Sequence, residues 1–336
     1  FRQLQYPITP SLRGSWQDFE GPSFDFDEMI APVQRADGSW PEETTMALAA
    51  GYAFDQVDEV LEGLGEPVGV PAYRPYHATG EDFLPSYLGM LGIPIDLRPE
   101  FPADAETILL TESAKFDPEI VDKIQGQLMD GKTVVVTSGL VRALQDRGLR
   151  DIVEVRCTER KASVQDYLLG RSPVHQADDP ILFTHLDYLT NDAWEEVSGL
   201  TRYTGHPVLL SDGYGGGMLY VWMIPDNFDD LTRMPPEVLD RIRSVVLQDM
   251  DVRVNGPAQV MLFVYDNDTF IVQSFHSEAV SSRVVVDREV TALRDVRSGE
   301  LVGDAEPILD WRGEPTDEVT FEISLPPHSY CVLRAE

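Results

Sequence analysis

Cysteine is nearly missing from this 336-residue chain: the two present, Cys157 and Cys331, lie far apart and outside any metal-binding spacing. That excludes a disulfide framework and a zinc ribbon. Positive charge is equally scarce, with 26 Lys+Arg against 58 Asp+Glu and a net charge of −32 at pH 7. The excess is spread over the beginning, middle and end of the chain, so no basic segment is left to neutralise phosphates and nucleic acid is a poor partner. Long apolar runs are missing too. Stretches such as Val134 to Val136 fall far short of the roughly 20 residues of a membrane span, and a soluble protein is expected. The six histidines, at 77, 175, 185, 206, 276 and 328, show no metal-ligand spacing, and neither metal nor cofactor is expected. A start at Phe1 without the order of a secretion signal is expected of a chain that is processed, engineered or cut from a longer one.

What is present is an ordinary globular composition, 43% hydrophobic and 9% aromatic, at a length that suggests about two domains. A uniformly acidic surface keeps a protein soluble at high ionic strength, so a salt-rich habitat is expected. Residues 1–65 read as an N-terminal arm, aromatic and acidic around Trp16, Phe19 and Phe24, followed by a helix from Thr45 to Leu64. Residues 66–250 alternate strand and helix. Strands are expected at Val68 to Tyr73, Pro94 to Leu97, Thr107 to Thr111 and Thr133 to Thr137, with further ones at Ile152 to Val155 and Ile181 to Phe183. Helices are expected around Phe83 to Leu91, after Asp117-Pro118, from Gly139 to Leu144 and from Pro235 to Leu247. The pattern predicts a mainly parallel, flavodoxin-like doubly wound sheet covered on both sides. Pro207 to Ser211 and Met218 to Ile224 flank Gly213 to Gly217 at hairpin spacing. Beyond residue 250 only short strand patterns recur, which predicts a C-terminal β-sandwich over 251–336.

Four places gather chemistry. Ser138 follows the apolar strand at a strand-to-helix turn, where a nucleophile would be exposed beside a helix start. Its neighbours break the Gly-x-Ser-x-Gly spacing, with Val136 and Leu140 in the glycine positions, and a hydroxyl that caps the helix is the plainer expectation. His77 and Glu81 lie in the loop after the first strand, in a segment where Thr79 or Gly80 is expected to cap the next helix and Glu81 with Asp82 to favour its first turn. Glu112 follows the third strand and His185, with Asp187, a later one. Asp266-Asn267-Asp268-Thr269 imitates a calcium loop but has Ile271 where that loop needs glycine, so a hairpin tip is expected.

As a whole, 66–250 resembles a class I glutamine amidotransferase-like domain of the kind found as the middle or trimerisation domain of family 42 β-galactosidases and related clan A glycoside hydrolases. The carrying segments are Tyr76-His77-Ala78-Thr79-Gly80-Glu81-Asp82-Phe83, Thr107 to Glu112, Gly131 to Gly139 and Gly213 to Val221, and the ending Leu325 to Leu333 is similar to the last strand of the C-terminal sandwich of such hydrolases. True amidotransferases carry a nucleophilic cysteine where this chain has Ser138, so amidotransferase activity is not implied. The clan's catalytic glutamates sit on a (β/α)₈ barrel of about 250 residues, for which residues 1–65 leave no room. The resemblance therefore implies an accessory, non-catalytic region of a carbohydrate-active enzyme, whose partner is an upstream glycosidase barrel or another copy, and which contributes packing, oligomerisation or a wall of the sugar site. An exposed aromatic such as Trp16, Trp40, Trp194 or Trp222 would serve that wall. Two alternatives stand beside it: a stand-alone hydrolase using Ser138, Glu112 or His185, and a carbohydrate-binding or surface structural protein.

Overall fold

The computed structural model describes residues 57–336 except Glu59, Arg171, Thr190, Tyr203 and Trp311. Most of the arm expected over 1–65, with Trp16 and Trp40, lies outside the described residues. Val57, Asp58, Val60 and Leu61 are helical, and Val60 packs on Ile271 and Val332. The chain then forms β1 (Pro67–Val68), β2 (Val70–Tyr73), α1 (Leu84–Met90), β3 (Ile95–Arg98) and β4 (Thr107–Leu110). A 3₁₀ turn at Glu112–Phe116 leads to α2 (Ile120–Met129), β5 (Thr133–Thr137) and α3 (Ser138–Leu144). Four antiparallel strands follow, β6 (Val155–Leu168), β7 (His175–Tyr188), β8 (Trp194–Thr201) and β9 (Thr204–Tyr214), then β10 (Gly217–Trp222) and α4 (Pro236–Val246).

These elements build one nine-stranded sheet, ordered β3-β2-β4-β5-β10-β9-β8-β6-β7. Its first half matches the parallel expectation. β2 pairs in parallel with β3 and β4, β4 with β5, and β5 with β10. Val134, Val135 and Val136 are fully buried, as a strand covered on both faces requires. The second half corrects it. β6 to β9 are long antiparallel strands, so the sheet is mixed and helix is sparse. The physical reason is the length of the connections between paired neighbours: β6 and β7 are separated by six residues, β8 and β9 by two, and β9 and β10 by two. Links that short cannot hold the crossover that a parallel pair needs. The expected hairpin around the glycines is present, with Tyr214 paired to Gly217 and Gly215 at φ 60° in the turn between them.

The last third is a sandwich of two antiparallel sheets. Its strands are β11 (Val252–Asn255), β12 (Val260–Tyr265), β13 (Thr269–Ser274), β14 (Val280–Asp287), β15 (Leu293–Asp295), β16 (Glu306–Leu309), β17 (Pro315–Leu325) and β18 (Tyr330–Ala335). One sheet runs β1-β12-β13-β18-β15 and the other β11-β14-β17-β16. Val254, Leu262, Val272, Val284, Phe321 and Leu333 fill the space between them, the inward half of each strand's alternation. Asp266 to Asp268 form the tip between β12 and β13. That tip also holds the chain entering β1: the Asp266 carboxylate accepts from the Glu66 N–H at 2.9 Å and the Asn267 amide donates to the Gly63 carbonyl at 3.0 Å. No described helix is long and apolar enough to cross a membrane.

Candidate functional site

In a parallel sheet, ligands bind beyond the carboxyl ends of the strands. Here that edge is formed by the chain leaving β2, β4 and β5. After β2 the backbone contorts, with φ of 61° at His77, 122° at Gly80 and 51° at Glu81. The expected cap at Thr79 or Gly80 does not form: α1 begins at Leu84, and Phe83 precedes it without a side-chain cap. The turn instead carries Glu81 away from α1 and onto the start of α3. Glu81 Oε2 accepts from the Glu112 N–H at 2.8 Å and from the Thr137 hydroxyl at 2.6 Å. Its other oxygen lies against Gly139, where a Cβ would come within 2.7 Å of Glu81 Cδ. Burial pushes the Glu81 carboxyl above its ordinary range, and the donors from Thr137 and Glu112 pull against that shift. Glu112 has a different setting, half-buried and paired through Oε1 with Lys115 Nζ at 2.6 Å.

Ser138 is 3% exposed and does not cap the helix. Thr137 is the cap, its hydroxyl accepting from the Leu140 N–H at 3.4 Å. The Ser138 hydroxyl accepts from the Ile224 N–H at 3.1 Å, which ties α3 to the end of β10. Cys157 Sγ lies 3.6 Å from the Ser138 carbonyl, and burial raises that thiol to about 11, out of the nucleophilic range. His77 is exposed on the β2 loop. His185 lies on β7, where its ring meets the His206 ring edge to face at 5.1 Å and its Nδ1 is 3.2 Å from Asp187 Oδ1. Burial and the neighbouring His185 hold His206 below its ordinary pKa. Trp222 is a correction to the expected surface aromatics, since it is fully buried in the main core. Trp194 on β8 is 63% exposed.

The edge thus brings Glu81 and Glu112 together with Thr137 and Gly139, two residues that sequence reasoning did not single out. Their signal was only the strand-to-helix turn itself. Chemically, Glu81 takes the hydrogen-bond donors that an incoming anion or oxyanion would need. For Ser138→Ala the expected result is a loss of about 1–2 kcal/mol, because the buried Ile224 N–H loses its acceptor. Urea denaturation measures it. A fluorophosphonate probe is expected to leave the unaltered chain unlabelled, and labelling that disappears in the alanine variant would refute this placement of the hydroxyl.

A second concavity lies at the end of the sandwich, a cavity of about 540 Å³ with Val252, Val264 and Phe270 in its lining and Asp249, Asp287 and Glu289 among its carboxylates. Among the described residues no group of three or more His, Cys, Asp or Glu could hold a metal ion.

Comparison with known proteins adds the family context. Residues 251–335 match the family model described as probable glycosyl hydrolase, C-terminal domain. The chain carries a glycoside-hydrolase-related domain. Residues 65–227 match a second model, described as uncharacterized protein SSO3021, second domain. Among solved structures, a β-galactosidase from Bacillus circulans sp. alkalophilus matches with a TM-score of 0.50 at 13% identity, over 90% of this chain and 46% of that one. Gan42B, a GH42 β-galactosidase from G. stearothermophilus, matches with the same TM-score and identity, over 90% of this chain and 45% of that one. At this identity the likeness is one of fold, and the chain spans less than half the length of either. No curated protein matches it in sequence.

Proposed function

We propose that this chain is an accessory, non-catalytic region of a carbohydrate-active glycoside hydrolase, contributing packing or assembly to a catalytic barrel or to other copies. The observation that carries the reading is the fold match of 90% of the chain to less than half of a β-galactosidase. Two features support it. The described strands form an open mixed sheet and a two-sheet sandwich, whereas glycoside hydrolysis in the clan needs two opposed carboxylates on a barrel. At the carboxyl edge of the parallel strands, the Glu112 N–H and the Thr137 hydroxyl, donors that a substrate oxyanion could use, are already taken by Glu81. The parallel order β3-β2-β4-β5-β10 is that of a flavodoxin-like sheet, with strands numbered 2-1-3-4-5, and it favours the amidotransferase-like reading of this half. Exposed Tyr76, Phe83 and Phe116, on the loops after β2 and β4, are suited to packing against a partner.

The purified 336-residue chain is accordingly expected to give no hydrolysis of aryl β-galactosides or other aryl glycosides above buffer. Turnover abolished by Glu112→Gln or Glu81→Gln would overturn the reading in favour of an independent hydrolase at the sheet edge.

A further inference from the structure

We propose that a ledge formed by Trp194, Gly213 and Met218 beside α4 is a binding subsite for a neutral pyranose. The placement follows from register. Trp194 pairs with Ser211 and Ser211 with Tyr220, while Gly213 pairs with Met218. Directly paired residues share a face, and Ser211 and Gly213, two apart on β9, share theirs as well. All five therefore line one side of β8, β9 and β10. Trp194 is 63% exposed and Met218 37%. Between them, a Cβ built on Gly213 would meet no atom within 4 Å. A glycine inside a strand sacrifices packing and marks a place where another group approaches the backbone closely. Here the bare position leaves open space on the same face as the Trp194 indole, one pair along the strand.

The inner end of the ledge is polar. Ser211 Oγ donates to Glu196 Oε1 at 2.8 Å, and Arg241, on α4, donates to Glu196 Oε2 at 2.6 Å. An apolar aromatic plane with a few fixed polar groups at its end is the usual make-up of a small-molecule site. It suits a pyranose ring, whose C–H face stacks on an indole while its hydroxyls meet a carboxylate and a guanidinium. Charge narrows the ligand class. Glu196 is balanced by Arg241, so the ledge attracts no ion of its own, and the chain's net charge of −32 disfavours anions everywhere. A neutral polyol fits both conditions.

The choice of galactosides as probes rests on the accessory-region reading; the ledge does not. The test is a titration of the full 336-residue chain with lactose, methyl β-galactoside and cellobiose at millimolar concentrations, followed by calorimetry and by ligand-observed NMR. At least one sugar is expected to bind. Trp194→Ala should weaken it by about tenfold or more. Gly213→Val should do the same by occupying the open space over the backbone, since a β-branched residue suits a strand and has room there. Tyr76→Ala, which removes an exposed aromatic from the β2 loop, should leave binding unchanged. Thermal midpoints establish that the variants are folded. Failure of all three sugars to bind overturns the proposal, as does binding that Trp194→Ala and Gly213→Val leave intact or that Tyr76→Ala weakens equally. None of these results bears on aryl-glycoside turnover, so the accessory reading stands or falls separately.

Discussion

Replacing Arg243 by alanine is expected to destabilise the protein by about 3–5 kcal/mol, a large fraction of the 5–15 kcal/mol that holds a typical domain together. Arg243 is 1% exposed and sits on α4. Its guanidinium donates to the carbonyls of Leu91 at 2.6 Å, Gly256 at 2.7 Å and Pro257 at 3.2 Å, and to Asp240 Oδ1 at 2.8 Å. Asp240 in turn accepts from the Gly256 N–H at 2.8 Å. Burial acts against the charged form of both partners, lowering the arginine and raising the aspartate, and their attraction opposes it. The pair is therefore costly alone and sustained by its hydrogen bonds. Alanine would strand three carbonyls and leave the half-buried Asp240 carboxylate with Arg283, at 4.0 Å, as its remaining ion-pair partner among the described residues. The same side chain links the end of α1 and α4 to the segment between β11 and β12, that is, the mixed sheet to the sandwich. Urea denaturation of Arg243→Ala should show the lower midpoint and a transition that separates into two phases. A loss under about 1 kcal/mol with a single transition would show that the pair contributes little.

At the sheet edge, Gly139→Ala is expected to cost about 2–3 kcal/mol, near the top of the range for overpacking. The new methyl would collide with the Glu81 carboxylate and approach Glu112 Cβ at 3.1 Å. Relief requires Glu81 to give up Thr137 and the Glu112 N–H, leaving those donors unmet. A double-mutant cycle isolates this cause. In a Glu81→Ala background the same glycine substitution should cost well under 1 kcal/mol, giving a coupling on the order of 2 kcal/mol. Additive losses would show that the strain lies in the α3 backbone and not in the carboxylate.

Local pattern accounts for the elements that depend on it. The strand expected at Thr133 to Thr137 spans the observed β5, and the helix expected from Pro235 covers α4, where Val238, Leu239, Ile242, Val245 and Val246 are all buried. A run of β-branched residues and an apolar stripe at helical spacing are properties of neighbours along the chain. Strand β7 was legible only as the fragment Ile181 to Phe183, and β6 was missed: the strand expected at Ile152 to Val155 shares only Val155 with it, because Ile152 closes the 3₁₀ turn before it and exposed stretches of β6 such as Glu159 to Lys161 carry no apolar signal. Strand β8 was not anticipated, its alternation being interrupted by bulges against β9.

By itself the sequence determined the acidic character, the parallel strands with their helices, the glycine hairpin and the strand-rich ending, since each arises from composition or from contacts between near neighbours. Tertiary structure alone decided which residues meet. Glu81 leaves its own helix for one 56 residues further on, Ser138 is committed to Ile224, and Trp222 is enclosed while Trp194 is bare. Those outcomes depend on strand order and on backbone reversals at His77 and Glu81. Long-range packing sets both, and no window of local sequence contains it.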